Sequence, residues 1–434
     1  MRILWLVNIL MPELAAAVGL PAPYAGGWLT GQLQRLDAER NHIAICCVRP
    51  ETAALLVREV NGHTHYVLPA DADWAENFRE ILRTERPDVI HIHGTEMESS
   101  LALMRLAPPE RTVVSIQGLV SVYAAHNLAG LPERFAKAGF FKRLLGKRLD
   151  IRPIAVGRED FARRGRSEIA LLQSARHVIG RTRWDEACTG QINPARHYHF
   201  CNETLRPAFY RAPQWRYAEC EPHTVLISQG NYPIKGLHQM LEALPLLLKR
   251  YPDLQVCVAG WTRLGLLPQT AGGGWKQRLR QPLETWLFEY DTYLRRQIER
   301  LGLEGHVRFL GPLDEAAMCA AYRRANVFVS CSSVENSSNS ICEAMLLGLP
   351  VVSSYVGGCG DLLADGQEGL FYPFDAPYLL ADAIARLFDD PQRAERMGQS
   401  ARARALLRHD PERNTARLME IYEQIVSAAE AEKE

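Results

Sequence analysis

The sequence predicts two α/β domains, each built on a parallel β-sheet with helices on both faces. Its 434 residues suffice for two or three domains of about 150 residues each. Short β-branched apolar runs recur along the chain, and such runs are typical of strands that are covered on both faces. Helical patterns lie between many of these runs, and this alternation of strand and helix is typical of parallel sheets.

Ten apolar runs bounded by turn residues are the predicted strands. Helices are predicted at Asn77–Arg83 and Leu237–Lys249, and an amphipathic helix is predicted after Asp410 at the C-terminus. The strands predicted for the first half are Ile3–Val7, Ile43–Val48, Val89–His93, Val113–Ile116 and Val178–Ile179. Those predicted for the second half are Val225–Ser228, Leu254–Ala259, Val307–Phe309, Val327–Val329 and Val351–Ser354.

Composition excludes several classes of protein. The 50 Lys and Arg balance the 50 Asp and Glu, so the chain lacks the net positive charge that is typical of nucleic-acid binding. The ten cysteines form no CxxC pair, which predicts small buried side chains in a reducing cytoplasm. Asn8 and Pro12 interrupt the N-terminal apolar run, which favours a strand over a signal peptide. We find no apolar stretch of about 18 residues elsewhere, so no membrane span is predicted.

The expected domain boundaries follow from one interruption of the alternation, where Pro207, Pro213 and Pro222 fall in a stretch with little periodicity. In open α/β sheets, ligands bind at loops that follow the carboxyl ends of strands. We therefore expect functional residues in strand-to-helix loops. The expected segments are an N-terminal domain at 1–205, a linker at 206–223, a second domain at 224–408, and a terminal helix at 409–434 that packs back on the N-terminal domain.

The segment after Val327–Val329 carries two glutamates, Glu335 and Glu343, eight positions apart. If a helix starts near Ser340, Glu335 lies on the preceding loop and Glu343 in the first turn, and both face one pocket. The backbone amides of that turn would form an anion site suited to phosphate. A second interpretation stays open, because Ser340-x-x-Glu343 also fits a capping box that needs no ligand.

The two glutamates resemble the E-x7-E signature of family 4 glycosyltransferases, which are retaining enzymes of the GT-B fold. Further similar motifs occur in the family's order over nearly the whole second half. The resemblance implies two Rossmann-like, doubly wound domains facing a central cleft, with acceptor binding in the first and nucleotide-sugar binding in the second. The similar motifs are Lys235-Gly236-Leu237, Phe309-Leu310-Gly311, the run 343–354, Gly357-Gly358 and the run 365–370.

The function implied by the resemblance is transfer of a hexosyl unit from a nucleotide sugar to a hydroxyl of a glycan or lipid-linked acceptor. It implies no metal and no cofactor besides the nucleotide sugar. The segments 180–185 and 202–206 resemble a subgroup of bacterial surface-polysaccharide transferases, although a structural role at the hinge is their simplest interpretation. The alternatives left open are an epimerase or phosphorylase of the same fold, and a non-catalytic subunit of a polysaccharide-assembly complex.

The resemblance also implies roles for residues of the second half. Glu343 would accept hydrogen bonds from the ribose diol, and Glu335 would hold a hydroxyl of the donor sugar. Lys235 would neutralise the departing diphosphate, whose charge develops as the glycosidic bond breaks. Most relatives have a Gly-Arg pair where this sequence has Gln229, Gly230 and Asn231, so the second phosphate-binding cation is not identified. Backbone amides near Asn339 and Ser340 would face phosphate or sugar.

Candidates also lie in the first half. Gly26 and Gly27 belong to a loop that lies under the donor phosphates in the family, with a plain tight turn as the alternative. Gln117 stands where relatives often carry a His that contacts the donor sugar, and His126 would substitute for it. His93 is a further candidate, although histidines at strand ends are often structural. We expect Asp71-Ala72-Asp73 to mark a helix N-terminus rather than a metal site.

The window from residue 134 to residue 166 is strongly basic, with eleven cations against three acidic residues. Aromatic and aliphatic residues interleave with the cations in its first part, which suits a segment at an anionic membrane surface. A solvated basic face or a groove for an acidic acceptor is the alternative. The cations are Arg134, Lys137, Lys142, Arg143, Lys147, Arg148, Arg152, Arg158, Arg163, Arg164 and Arg166, and the acidic residues are Asp150, Glu159 and Asp160.

Overall fold

A computed structural model describes residues 1–20, 27–36, 40–149, 151–261 and 286–432. The chain divides into two compact units. Residues 123–161 belong to the second unit, although they fall inside the sequence range 1–205. The first unit consists of Met1–Val122, Ala162–Pro207 and Arg408–Glu434, and the second consists of Tyr123–Phe161 and Ala208–Leu407.

The first unit contains an eight-stranded sheet in the order β3-β4-β2-β1-β5-β6-β7-β8. Neighbouring strands are parallel except for β3 and β4, which pair antiparallel at one edge. The strands are β1 (Arg2–Val7), β2 (His42–Arg49), β3 (Leu56–Val60), β4 (His63–Pro69), β5 (Val89–His93), β6 (Thr112–Ser115), β7 (His177–Gly180) and β8 (His197–Phe200).

Three strands of this sheet were not predicted, and each lacks a continuous apolar run. The edge strand β3 carries Arg58 and Glu59 on a mostly exposed backbone. Histidines interrupt β4 and β8, for example His65 and His199. The expectation of parallel pairing is therefore wrong at this one edge, where the last strand of the sheet is antiparallel and carries charged residues.

The second unit contains a six-stranded sheet in the order β11-β10-β9-β12-β13-β14, with every pair parallel. All five strands predicted here are present. The sixth, β14, was not predicted because it begins with a glycine and contains no β-branched residue. The strands are β9 (Thr224–Ile227), β10 (Gln255–Ala259), β11 (Val307–Gly311), β12 (Val327–Ser330), β13 (Val351–Ser354) and β14 (Gly369–Tyr372).

Helices connect most of the strands, and the two predicted helix segments are present with nearly the expected bounds. Short 3-10 turns occur at Pro109–Arg111, Glu133–Ala136, Tyr217–Glu219 and Pro233–Lys235. The α-helices of the described chain are Pro12–Ala17, Gly27–Leu33, Trp74–Glu85, Glu98–Met104, Val120–His126, Phe140–Arg148, Ile154–Ser174, Arg183–Ile192, Pro207–Arg211, Leu237–Leu248, Glu289–Leu301, Glu315–Arg324, Asn339–Leu347, Cys359–Leu362, Pro377–Phe388, Pro391–Arg408 and Pro411–Ala431.

The stretch expected to be an irregular linker, 206–223, instead contains the helix Pro207–Arg211 and a 3-10 turn. Proline is well tolerated in the first turn of a helix, so the prolines here do not by themselves indicate disorder. Trp215 is 3% exposed and donates from Nε1 to the carbonyl of Ala325 at 2.8 Å. This stretch is therefore packed into the second unit.

The terminal helix Pro411–Ala431 belongs to the first unit. Asp410 caps it by accepting from the amides of Glu412 and Arg413, both at 2.9 Å. Its apolar face, including Ile421 and Tyr422, lies in the same core cluster as Trp5 of β1. Trp5 Nε1 donates to the hydroxyl of Tyr422 at 3.0 Å.

Candidate functional site

An ion pair joins two loops of the second unit. Lys235 ends the 3-10 turn that follows β9, and its Nζ lies 2.5 Å from Oε1 of Glu335, on the loop after β12. The same carboxylate oxygen accepts from Ser332 Oγ at 2.7 Å. Because β9 and β12 are parallel neighbours, the loops at their carboxyl ends meet. Lys235 and Glu335, which lie far apart in the sequence, are brought into contact in this way.

Glycines hold both loops of this pair in place. Gly236 has a φ of 69°, and a Cβ there would overlap with the carbonyl oxygen of Cys331. Gly357 has a φ of 51°, and a Cβ there would overlap with the carbonyl oxygen of Glu335. That oxygen also accepts from the amide of Gly358 at 3.0 Å. Any other residue at 236 or 357 would displace the backbone beside the ion pair.

The pKa of Lys235 depends on its burial and on the groups beside it. The side chains of Lys235 and Glu335 are 19% and 10% exposed. Burial alone would lower the pKa of Lys235, but the Glu335 carboxylate and the phenol of Tyr232 raise it, and the resulting pKa lies above its usual value. Burial, together with Glu335, also raises the pKa of the Cys359 thiol to about 12. Lys235 therefore carries a full positive charge at neutral pH.

Glu343 lies in the helix Asn339–Leu347 and is 5% exposed. The N-cap of this helix is Ser338, whose side chain makes no capping hydrogen bond. Ser340 is thus the second helical residue and Glu343 the fifth. The expectation of Glu343 in the first turn is wrong, and so is the capping-box interpretation, because the helix starts one residue before Ser340 and a capping box needs its serine at the N-cap.

Two tyrosines near the ion pair were missed in the sequence. The ring of Tyr232 lies 5.9 Å from Lys235 Nζ. Tyr123 lies on the helix Val120–His126, and burial, followed by the Glu335 carboxylate, raises the pKa of its phenol. Tyr232 stands only three positions before Lys235, so its closeness in the sequence could have identified it as a neighbour of the ion pair. No local sequence signal places Tyr123 beside the ion pair. It belongs to the segment 123–161, which joins the second unit although it lies within the sequence of the first.

The structure places the backbone of His126 near these loops and leaves its side chain exposed. Its carbonyl accepts from Ser333 Oγ at 3.2 Å, and the amide of Ser333 donates to the carbonyl of Ile234 at 2.8 Å. Gln229 follows β9 and is exposed. The buried hydroxyl of Ser337 has no hydrogen-bond partner among the described residues. A hydroxyl group of a ligand could form a hydrogen bond with it.

Gln117 lies in the first unit, where its Nε2 donates to Glu203 Oε1 at 2.9 Å. Glu203 is also paired with Arg181, a buried cation that donates to the carbonyls of Ile116 and Gln117 at 3.1 and 3.2 Å. The side chain of Gln117 is thus part of a buried polar network. Gly27 begins the helix Gly27–Leu33, while Gly26 lies outside the described residues.

The remaining first-half candidates have structural surroundings. His93 is 1% exposed and stacks on His91 with ring centroids 3.7 Å apart, and burial holds its pKa well below the usual value. Asp73 caps the helix Trp74–Glu85 by accepting from the amide of Ala75 at 3.0 Å. Within the described residues, no group of three or more His, Cys, Asp or Glu side chains is arranged to hold a metal ion.

Residues 217–404, which include Lys235, Glu335 and Glu343, match the family model described as Glycosyl transferases group 1. The chain carries a group 1 glycosyltransferase domain. The family signal expected from the sequence is confirmed for this part of the chain.

Relatives and solved structures agree with this assignment. The chain is 38% identical over 111 residues to the D-inositol 3-phosphate glycosyltransferase of Corynebacterium glutamicum, which covers 26% of each chain. It is 30% identical over 211 residues to the phosphatidyl-myo-inositol mannosyltransferase of Mycolicibacterium smegmatis. The aligned region covers 48% of this chain and 47% of that protein. The chain thus spans half or less of the length of these curated relatives.

A structural likeness extends over both units of the chain. Sucrose-phosphate synthase from Thermosynechococcus elongatus aligns with a TM-score of 0.67 and 18% identity, covering 98% of this chain and 99% of that one. At this identity the likeness concerns the fold. The fold class expected from the sequence, two parallel-sheet α/β units as in GT-B glycosyltransferases, is confirmed.

Proposed function

We propose that this protein transfers a hexosyl unit from a nucleotide sugar to a hydroxyl acceptor. The observation that carries the proposal is the Lys235–Glu335 contact of 2.5 Å at the carboxyl ends of two neighbouring strands of the group 1 domain. A buried ammonium suits the departing diphosphate, and a carboxylate beside it suits a hydroxyl of the sugar that is being transferred. Both groups then act next to the glycosidic bond that breaks.

Glu343 supplies the second carboxylate of the donor site. A carboxylate can accept two hydrogen bonds from a ribose diol, and Glu343 lies eight positions after Glu335 on the helix that follows its loop. Ser338 provides no side-chain cap, so the helix start suits a phosphate or sugar oxygen. Gln229 and the amides of Asn339 and Ser340 complete the proposed donor contacts of the second unit, and Gly26 and Gly27 are proposed as donor contacts of the first.

We infer that the reaction proceeds with retention of the anomeric configuration and without a metal ion. Lys235 would stabilise the charge on the leaving diphosphate, which is a role that a metal ion fills in other transferases. The leaving phosphate would assist deprotonation of the acceptor on the same face of the sugar, with His126 as a catalytic residue and Gln117 as a contact to the donor sugar. Retention of activity in excess EDTA and an NMR assignment of the product anomer test these two inferences.

The acceptor is proposed to be a hydroxyl of a glycan or of a lipid-linked or inositol-bearing molecule. Support comes from the names of the two relatives, one acting on D-inositol 3-phosphate and one on phosphatidyl-myo-inositol. We propose a cytoplasmic protein that works at the inner face of the membrane in surface-polysaccharide assembly.

Attachment to an anionic membrane surface is proposed through the helix Phe140–Arg148. Phe140 and Phe141 are each 73% exposed, and Leu144 is 54% exposed. No helix in the described part of the chain is both long enough and apolar enough to cross a bilayer. Several cations of the basic window are engaged within the protein, since Arg143 pairs with Glu159 at 2.6 Å and Arg152 with Asp160 at 3.4 Å. Asp150, the third acidic residue of that window, lies outside the described residues.

The experiment that tests the proposed function starts with a thermal-shift panel of UDP, GDP, ADP and their sugars. A donor that binds the folded protein raises its melting temperature by mass action. The donor so identified is then incubated with myo-inositol phosphate and with phosphatidylinositol vesicles, and the glycosylated product is measured. Release of the sugar only as free hexose would indicate hydrolysis, and an epimerised nucleotide sugar would indicate an epimerase. Either result would contradict the proposed transfer. Absence of any shift would reject the donor site.

A further inference from the structure

A groove of about 640 Å³ lies within the second unit, apart from the Lys235–Glu335 pair. One wall comes from residues 134–142 and the other from the helix Glu289–Leu301 and the preceding Trp286. The groove combines cations with aromatic rings. Its charge and its surroundings decide which ligand it fits.

One cation of the groove is neutralised internally. Lys142 Nζ lies 2.6 Å from Glu289 Oε1, and the second oxygen of Glu289 accepts from the amide of Ile154 at 2.7 Å. Both side chains are largely buried, at 12% and 7% exposure. This pair joins the two walls and adds no net charge to the groove.

Three cations of the groove remain exposed: Arg134, Lys137 and Arg296. Among the described residues none of them has a carboxylate partner, and Glu289 is the one acidic residue of the lining. The described lining, with four cations and one carboxylate, therefore carries a net charge of three positive units. Three exposed cations that line one groove favour an anionic ligand, and a phosphate group can pair with several cations at once.

Aromatic rings form much of the remaining wall. Phe135 meets Tyr293 edge to face at 5.6 Å, and the Arg134 guanidinium stacks over Phe135 at 5.0 Å. Lys142 lies 5.0 Å from the ring centroid of Trp286. These contacts hold the Arg134 and Lys142 side chains against the wall, and they give the groove an apolar surface beside its charged one. A ligand with a phosphate and an apolar or sugar-like portion fits this combination.

The neighbouring surface distinguishes a lipid phosphate from a free phosphate ester. Gly139 and Lys142 line the groove, and between them in the chain stand Phe140 and Phe141, each 73% exposed. Two large exposed rings bring no advantage to a soluble anion, whereas they can enter the boundary between lipid headgroups and acyl chains. We propose that the groove binds the phosphate of an anionic glycerophospholipid headgroup. The inference deepens, and rests on, the membrane attachment proposed above.

The test compares two variants of the full-length protein with the same change in net charge. The groove variant combines Arg134→Gln, Lys137→Gln and Arg296→Gln. The matched control combines Arg211→Gln, Lys249→Gln and Arg396→Gln, three exposed cations of the second unit outside the groove. Cosedimentation is measured with vesicles of phosphatidylcholine alone and with added phosphatidic acid. The groove variant should partition about 100-fold more weakly onto the anionic vesicles, at roughly fivefold for each cation near the surface, and the control should lose much less.

Three further measurements make the result decisive. Thermal unfolding of both variants should match that of the wild type, because all six side chains are exposed. Equal losses of vesicle binding in the two variants would overturn the proposal in favour of general charge attraction. Binding of soluble glycerol 3-phosphate without binding of phosphatidic acid vesicles would overturn the lipid assignment. The thermal shift with the nucleotide-sugar donor should be the same in both variants, so a failure of the groove is distinguishable from a failure of the donor site.

Discussion

Replacing Lys235 by Ala should strongly reduce turnover and also destabilise the fold. Removing one preorganised electrostatic stabiliser of a developing negative charge lowers turnover by about 10²–10³-fold. Lys235 is the one cation that contacts Glu335 in the described structure, so a loss within this range is expected if it stabilises the departing diphosphate. The assay is steady-state transfer from the donor that the thermal-shift panel identifies.

The cost in stability follows from the geometry of the pair. At the observed separation of 2.5 Å, direct attraction amounts to about 7 kcal/mol at an effective dielectric constant of about 20. Much of it is offset by removing both charges from water. Removing one partner of a buried pair typically costs about 3–5 kcal/mol, because the other charge stays buried without compensation. Urea unfolding measures this change.

The double variant Lys235→Met/Glu335→Gln separates the two effects. Replacing both charges by neutral side chains of similar size should restore most of the stability but should not restore turnover. Lys235→Arg should rescue turnover only in part, because the planar guanidinium differs in shape from an ammonium. Near-wild-type turnover of Lys235→Ala on every accepted donor, or recovery of turnover in the double variant, would refute the proposed role of Lys235.

Three further predictions concern donor binding, the membrane and pH. Glu343→Ala should weaken donor binding by about 10–100-fold in calorimetry, as expected for a lost hydrogen bond to a charged group, and an unchanged affinity would exclude its ribose role. Phe140→Ser/Phe141→Ser should weaken cosedimentation with anionic vesicles while donor binding stays the same, and unchanged cosedimentation would remove this pair from the membrane contact. Burial lowers the pKa of His91 to about 3, so below about pH 6.5 the unfolded chain binds a proton that the folded chain does not. The stability contributed by neutral His91 is complete above about pH 6.5 and is lost towards about pH 3, at up to about 1.4 kcal/mol per pH unit. His91→Gln should reduce this slope in urea unfolding, and an equal slope would contradict the assignment.

The fold was largely predictable because its strands are short, buried and β-branched. All five strands predicted for the second unit are present. Their order in the sheet could not be predicted, because it depends on long-range crossovers between parallel strands and not on local sequence patterns. The missed strands β4 and β8 show the limit of apolar patterns. His65 is 1% exposed, so burial here includes polar rings that a count of apolar residues overlooks.

The candidate site was predictable where a motif fixes local spacing, as for Glu335 and Glu343. The position of Lys235 beside Glu335 depends on the pairing of β9 with β12, in which Val225 faces Val327 and Leu226 faces Phe328. That pairing is a long-range property of the sheet. Tyr123 was missed for the same reason, since it reaches the second unit through a segment that interrupts the sequence of the first.

Gln117 illustrates the opposite case, in which a plausible ligand contact meets a structural partner. Its side chain donates to Glu203, and Glu203 also balances the buried Arg181. Arg181 follows β7, and Glu203 comes three residues after the end of β8, so their meeting with Gln117 after β6 reflects three adjacent strand ends. An amide that satisfies a buried carboxylate is held in one orientation, which makes Gln117 rigid before any ligand arrives.

The Lys235–Glu335 pair links the resting structure to the proposed chemistry. Each side chain at present satisfies the charge of the other, and Ser332 adds a hydrogen bond to the carboxylate. A nucleotide-sugar donor brings both complements at once, since its diphosphate can pair with the ammonium and a sugar hydroxyl can donate to the carboxylate. In the proposed site, donor binding would exchange one ion pair for two charge-assisted contacts and would leave neither charge uncompensated. A free nucleotide diphosphate would supply only the first of these contacts, so the proposed site would favour the intact donor over a ligand that lacks the sugar.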